Sequence, residues 1–218
     1  MCFDIKRLLS YFRKHYAERM RSYYALMLGS AGLPLLLAFV SRSSVTAASM
    51  AGAVELFVLA FVLYLSTVGM RSKRTMQIDN TMPLTNLERY AFIMINSTVV
   101  AMALFMVAYL PAVAIAKWMF PPEPIFDFVF EELFSSKMYY TAMFSTHAVL
   151  LVINLTARQR AYLGYVVAAV AIFVIQLVMS RYVPYEMRED ARMWGNILLI
   201  IGGWGVGYPL LRYREIKM

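Results

Sequence analysis

Charged residues are scarce in this sequence, and the shortage excludes several kinds of protein. Only 16% of the 218 residues are charged, with 13 Asp and Glu against 21 Lys and Arg, whereas a soluble domain carries about 25%. The one cysteine, Cys2, excludes a disulfide within the chain. The two histidines, His15 and His147, lie far apart, and no metal-ligand spacing, phosphate-binding glycine loop or nucleophile–base pair is present. We therefore expect no metal, no cofactor and no catalytic residue.

Hydrophobic residues, in contrast, make up 61% of the chain and lie in long blocks. Blocks of about 20 apolar residues indicate membrane-spanning helices instead of one soluble core. The net charge of +8 is also seen in nucleic-acid-binding proteins, but basic residues beside spans hold loops on the cytoplasmic side of a membrane. The sequence thus predicts an all-α membrane protein that contacts lipid and binds no nucleic acid.

The apolar blocks divide the chain into a leading segment and one membrane domain. Residues 1–21 predict an amphipathic helix lying in the membrane interface, with a solvated helical tail as the alternative. Its predicted apolar face comprises Ile5, Leu8, Leu9, Phe12, Tyr16 and Met20. Residues 22–218 are predicted to form a single domain of six transmembrane helices. These spans are expected at about 23–40, 52–70, 90–116, 138–155, 161–179 and 193–211.

Six spans place both termini on the same side of the membrane, and the basic residues indicate which side. Fifteen Lys and Arg fall in the segments that would then face the cytoplasm, against six in the outer segments. Cytoplasmic segments near spans carry an excess of basic residues. We therefore expect the N- and C-termini in the cytoplasm and a multi-pass protein of the bacterial inner membrane.

The polar stretch at residues 71–90 separates predicted spans two and three and ends with a helix-start signal. Thr85 is placed to cap the next helix through its hydroxyl, and Glu88, three residues later, to accept the Thr85 amide. Pro83 is expected to end any regular secondary structure that precedes it. An amphipathic helix start fused to a span suits a docking surface for a soluble partner. The alternative is a capped loop that only connects two spans.

Six polar side chains are expected inside the predicted spans. Three of them lie shallowly near the outer ends of spans two, five and six and could form one polar site, while His147 lies near the middle of span four. A site of this kind, with His147, could line a substrate pathway; the alternative is that these groups hydrogen-bond neighbouring helices. The six residues are Glu55, Asn96, His147, Asn154, Gln176 and Asn196; those of the candidate pathway are Glu55, His147, Gln176 and Asn196.

The architecture and one short motif resemble a known family. Six spans, inner termini, a basic leading helix and a polar loop after span two are similar to the permease subunit of an ABC-2-type exporter. Residues 82–90, MPLTNLERY, resemble the L-P-[AV]-S-N-x-E-[KR]-[FY] segment of small permease-like proteins common in Bacteroidota. Met82 stands in place of the leucine, and Leu84 and Thr85 in place of the small residue and serine. The longer outer interval lies between spans three and four, whereas the family places outer re-entrant helices between spans five and six.

The resemblance implies a division of labour between subunits. ATP would be bound and hydrolysed by a separate ATP-binding cassette subunit, so the chain itself would not be an enzyme. A second permease, identical or related, would complete the pathway for a lipid-like, glycan, peptide or drug substrate. The implied docking residues are Pro83, Thr85, Asn86, Leu87, Glu88 and Arg89. Two other functions stay open: a non-transporting assembly or sensory partner, and an intramembrane enzyme or carrier using Glu55 and His147.

Overall fold

The fold is a bundle of long helices. The structure, a computed structural model, describes residues 3–68, 84–120, 136–156 and 184–216 and positions 164, 166, 167, 174, 181 and 182. Its described part is helical apart from short links. The helices are α1 (Ile5–Ser41), α2 (Ser44–Ser49), α3 (Ala51–Thr67), α4 (Asn86–Ile95), a π-helical segment (Asn96–Val100), α5 (Ala101–Met119), α6 (Lys137–Thr156) and α7 (Tyr185–Ile216).

Within the described ranges, five helical segments are long and apolar enough to cross a membrane. They are Ile5–Ser41, Ser44–Thr67, Asn86–Met119, Lys137–Thr156 and Met187–Tyr213. Many of their large apolar side chains point outward; Leu28, Phe39 and Leu198, for example, are 74%, 64% and 69% exposed. An apolar exterior of this extent is unfavourable in water and suits lipid. The helices therefore define a multi-pass membrane protein.

Four of the six predicted spans lie within these segments, and a fifth, 52–70, overlaps Ser44–Thr67 up to residue 67. Predicted span five, 161–179, falls almost entirely outside the described residues, and so do residues 69–83 of the central polar stretch. The sixth crossing and the cytoplasmic location of the termini therefore stay predictions.

The first helix carries both the predicted interfacial segment and predicted span one. α1 runs without interruption from Ile5 to Ser41, so no helix break separates residues 1–21 from span one. At 1.5 Å per residue its 37 residues extend about 55 Å, against a hydrocarbon thickness of about 30 Å. The helix continues because residues 21–24 contain neither proline nor glycine.

The buried face of the first half of α1 is also rotated from the predicted one. Leu8, Tyr11 and His15 are buried because they lie against α4, where Phe92 is surrounded by aromatic rings. The ring centroids of Tyr11 and Phe92 are 4.7 Å apart, and those of His15 and Phe92 are 4.9 Å apart. The exposed members of the predicted apolar face are Ile5, Leu9 and Met20. This half of α1 is thus anchored to the bundle and still presents apolar side chains outward.

Helix α7 packs closely at two glycines, with Gly203 against α6 and Gly207 against Tyr90 of α4 and Leu151 of α6. A Cβ atom built on Gly203 would lie 2.7 Å from the Ala148 Cβ and 3.0 Å from the Ala148 carbonyl oxygen, and one on Gly207 would lie 3.0 Å from the Tyr90 hydroxyl. Gly202 and Gly205 face open space. Small residues let backbones approach in membrane bundles. Gly203 serves that purpose here, whereas Gly207 makes room for the side chains of Tyr90 and Leu151.

Candidate functional site

The predicted capping box at the start of α4 is present. The Thr85 hydroxyl accepts the Glu88 amide at 3.2 Å, and the Glu88 carboxylate accepts the Thr85 amide at 2.8 Å. Each group thereby satisfies a backbone donor that the first turn of a helix would otherwise leave without a partner.

The Glu88 carboxylate also binds the start of α1, 81 to 84 residues earlier in the chain. Its Oε1 atom accepts the Asp4 amide at 2.7 Å and the Arg7 Nη2 at 2.9 Å. The carboxylate is fully buried, whereas the Arg7 side chain is 30% exposed. Glu88 therefore joins the beginnings of α1 and α4 into one unit, which we call the latch (Asp4, Arg7, Thr85 and Glu88).

The latch changes which of the predicted docking residues can meet a partner. Glu88 and Arg89 are buried, while the Leu87 side chain is 49% exposed. Asn86 is partly exposed, and Pro83 lies outside the described residues. The exposed part of the predicted docking segment thus centres on Leu87, and Glu88 holds that segment in place from inside.

A second polar cluster surrounds Asn96, the first residue of the π-helical segment. Its Nδ2 donates to the Tyr23 hydroxyl at 2.8 Å and to the Ser66 hydroxyl at 2.7 Å, and its Oδ1 accepts the Tyr16 hydroxyl. The Tyr23 hydroxyl lies 3.0 Å from His15 Nε2. Since Tyr23 accepts from Asn96, its own proton is available for His15. Asn96 thereby links α1, α3 and α4 with every polar atom of its amide bonded.

His147 connects three helices through a hydrogen-bond chain of fixed direction. Trp204 Nε1 lies 3.1 Å from His147 Nδ1 and can only donate, so Nδ1 accepts. The ring proton is therefore on Nε2, which donates to the Ser97 hydroxyl at 2.7 Å. Ser97 in turn donates to the Ile93 carbonyl. Both ring nitrogens of this fully buried, neutral histidine are thus used in packing, and neither is available to take a proton from a substrate.

Of the candidate pathway residues that the structure describes, Glu55 lines a cleft. It lies on α3, is 3% exposed, and its Oε2 accepts the Tyr139 hydroxyl of α6. Its Oε1 is buried and has no hydrogen-bond partner among the described residues. An open cleft of about 180 Å³ between α3 and α6 lies beside it.

The other members of the predicted outer site are not gathered around Glu55. Asn196 Oδ1 accepts the Ser145 hydroxyl at 3.1 Å, and Ser145 lies six residues along α6 from Tyr139, about 9 Å of helix. Gln176 lies outside the described residues. The structure therefore places Glu55 and Asn196 against the same helix at separate levels, with no hydrogen bond between them in the described part of the chain.

Sequence reasoning missed the partners of these groups. Tyr139, Trp204 and Arg7 each complete a polar contact over 57 to 84 positions of sequence, and no local spacing indicates such pairs. In the described ranges, no three His, Cys, Asp or Glu side chains are grouped as a metal site would require.

Comparison with known proteins assigns the chain to no family. No family model, curated protein or solved structure matches the chain. The class of the protein, a multi-pass helical membrane protein, accordingly rests on its own helices and their apolar exteriors.

Proposed function

We propose that the chain is the membrane-spanning permease subunit of an ATP-driven exporter in the bacterial inner membrane. It would work with a separate ATP-binding subunit and pair with a second permease, identical or related. The observation that carries the proposal is the latch: it makes the first turns of α1 and α4 one rigid end of the bundle. Force applied to that end by a soluble partner would be passed directly to two long helices.

The surface at this end suits a protein partner. Leu87 is exposed beside the buried Glu88, and Asp4, bonded to Glu88, is flanked by Phe3 and Ile5, which are exposed as well. Exposed apolar side chains at the end of a helix pair, outside the hydrocarbon, indicate an interaction site. The occupant that we propose is the ATP-binding subunit.

The test is co-purification of the full chain with a nucleotide-binding subunit whose ATPase activity is measured in the complex. Leu87→Asp should abolish the association, because it places a charge in the centre of an apolar contact. Met187→Asp, which changes an exposed apolar residue at the start of α7 (63% exposed, against 49% for Leu87), is the matched control and should leave the complex intact.

Two results would count against this function. If the Leu87→Asp chain still forms the complex, the proposed docking surface is refuted. Association with a membrane complex that hydrolyses no ATP would favour the alternative, a non-transporting assembly partner.

A further inference from the structure

The carboxylate of Glu55 has one acceptor atom that the described chain leaves unused. Its side chain is 97% buried, the Tyr139 hydroxyl bonds Oε2, and Oε1 has no partner among the described residues. A buried polar atom without a hydrogen bond costs free energy, and an unpaired buried charge costs more. Such a group in a native protein calls for an explanation beyond packing.

The cleft beside Glu55 is lined mainly by apolar residues. It has a volume of about 180 Å³ and is open to the outside of the bundle. Its lining comprises Gly52, Glu55, Leu56, Leu59, Tyr139, Ala142, Met143 and Thr146. None of these lining residues is a lysine, arginine or histidine, so the described walls offer the carboxylate no cation. Among the lining residues that the structure describes, Glu55 is thus the one acid in a mainly apolar cleft.

The site lies near one end of both helices that form it. Tyr139 is the third residue of α6, about 3 Å from its start. Glu55 is the fifth residue of α3 and the twelfth of the membrane-crossing segment Ser44–Thr67. A ligand can therefore place its polar head between α3 and the first turn of α6 while its apolar part lies along both helices in lipid.

The residues that line the cleft indicate which class of ligand it can bind. A divalent metal takes six or more oxygen ligands or a set of dedicated side chains, and the cleft has a single carboxylate. A primary ammonium group supplies both the positive charge and the N–H donors that Oε1 needs. The flanking Leu56, Leu59 and Met143 suit an alkyl chain.

We propose that this cleft binds the ammonium head and first carbons of a long-chain primary amine, with Glu55 as the ion-pairing residue. At about 180 Å³ it is smaller than pockets for whole drug-sized ligands, which are about 300–1,000 Å³, so the rest of the chain extends outward between lipids. As an assignment of substrate class, the inference rests on the proposed export function; as a binding site, it stands independently.

The experiment is equilibrium dialysis of radiolabelled n-hexylammonium against the purified full chain in a neutral detergent. The wild-type chain should show saturable binding. Glu55→Gln should raise the Kd at least about tenfold, or about 1.4 kcal/mol, because the amide keeps the side chain's shape, loses its charge and turns a donor or neutral oxygen toward the ligand. Glu189→Gln removes a carboxylate from an exposed position of α7 and should leave the Kd unchanged.

A second variant tests the cleft without touching the charge. Ala142 lines the cleft and is exposed, so Ala142→Leu should fill it and weaken hexylammonium binding while the chain folds normally. n-Hexanol, an uncharged donor of the same length, should show no saturable binding. Absence of binding by the wild-type chain, equal binding by Glu55→Gln, or equal binding of hexanol would each overturn the proposal.

The outcome is separable from that of the proposed function. Binding is measured on the isolated chain with no nucleotide or partner. If amine binding depends on Glu55 but no ATP-binding subunit associates, the site stands and the exporter assignment fails. If the complex forms and hydrolyses ATP but hexylammonium does not bind, the assignment stands and the amine site fails.

Discussion

Replacing Glu88 with glutamine should destabilise the isolated protein, with no partner present. The carboxylate accepts three hydrogen bonds, from the amides of Asp4 and Thr85 and from Arg7. A glutamine amide has one acceptor oxygen and one NH2 group. With its oxygen at the Oε1 position, the glutamine keeps the hydrogen bonds from the Asp4 amide and Arg7, but its NH2 group then faces the Thr85 N–H. In the reverse orientation the NH2 group faces the two donors of Asp4 and Arg7 instead.

The expected loss follows from these contacts. Leaving one buried donor without an acceptor costs about 1–3 kcal/mol. Loss of the charge weakens the bond from Arg7 by up to about 1 kcal/mol, a contribution reduced by the 30% exposure of the Arg7 side chain. We expect the free energy of unfolding to fall by about 2–3 kcal/mol, which corresponds to a Tm about 4–12 °C lower for a chain of this size.

The assay is thermal unfolding of the purified chain in detergent, combined with amide hydrogen exchange. Glu88→Gln should lower the Tm and accelerate exchange at residues 4–8 and 85–90, where the lost bonds lie. Thr85→Ser keeps the capping hydroxyl and should stay within about 0.5 kcal/mol of the wild type. If Glu88→Gln has the same Tm as the wild type, the latch contributes nothing to stability, and the reasoning from burial is refuted.

Two further predictions concern packing and orientation. Gly203→Ala should lower stability by about 1–3 kcal/mol, because its Cβ would overlap Ala148, whereas Gly202→Ala, which meets open space, should be neutral or stabilising in the same melting assay; equal effects of the two would argue against close packing there. In a Cys2→Ser background, Asn86→Cys should react with a membrane-impermeant thiol reagent only after cells are opened, since the start of α4 is predicted to face the cytoplasm. Labelling in intact cells would reverse the predicted topology and remove the docking surface.

These experiments also separate two roles that the predicted docking segment combines. Substitutions at Glu88 act through folding, because that side chain is buried in the latch. Substitution of Leu87 acts at the surface and leaves the latch intact. Loss of a partner in a Glu88 variant would therefore report on the stability of the end of the bundle, and only Leu87 tests direct contact.

The broad architecture could be predicted because it depends on residues close together in sequence. Long apolar blocks need an environment without water, so the helical membrane class follows from composition and block length. The capping box follows in the same way from Thr85 and Glu88, which are three residues apart. The interfacial location of residues 1–21 stays a prediction. That they continue into span one as a single helix did not follow from the sequence, because helical periodicity alone does not mark where one helix would end and another begin.

Tertiary structure decided which partner each polar group has. Glu88 meets Arg7, Glu55 meets Tyr139, and His147 meets Ser97 and Trp204, over separations of 50 to 84 residues. The sequence by itself determined that these groups lie in or beside apolar helices, where an unpaired polar atom is costly. Only the packing of the helices determined that Glu88 and His147 are satisfied within the chain while one buried oxygen of Glu55 has no partner among the described residues. That depends on helix rotation and depth, which no local pattern fixes.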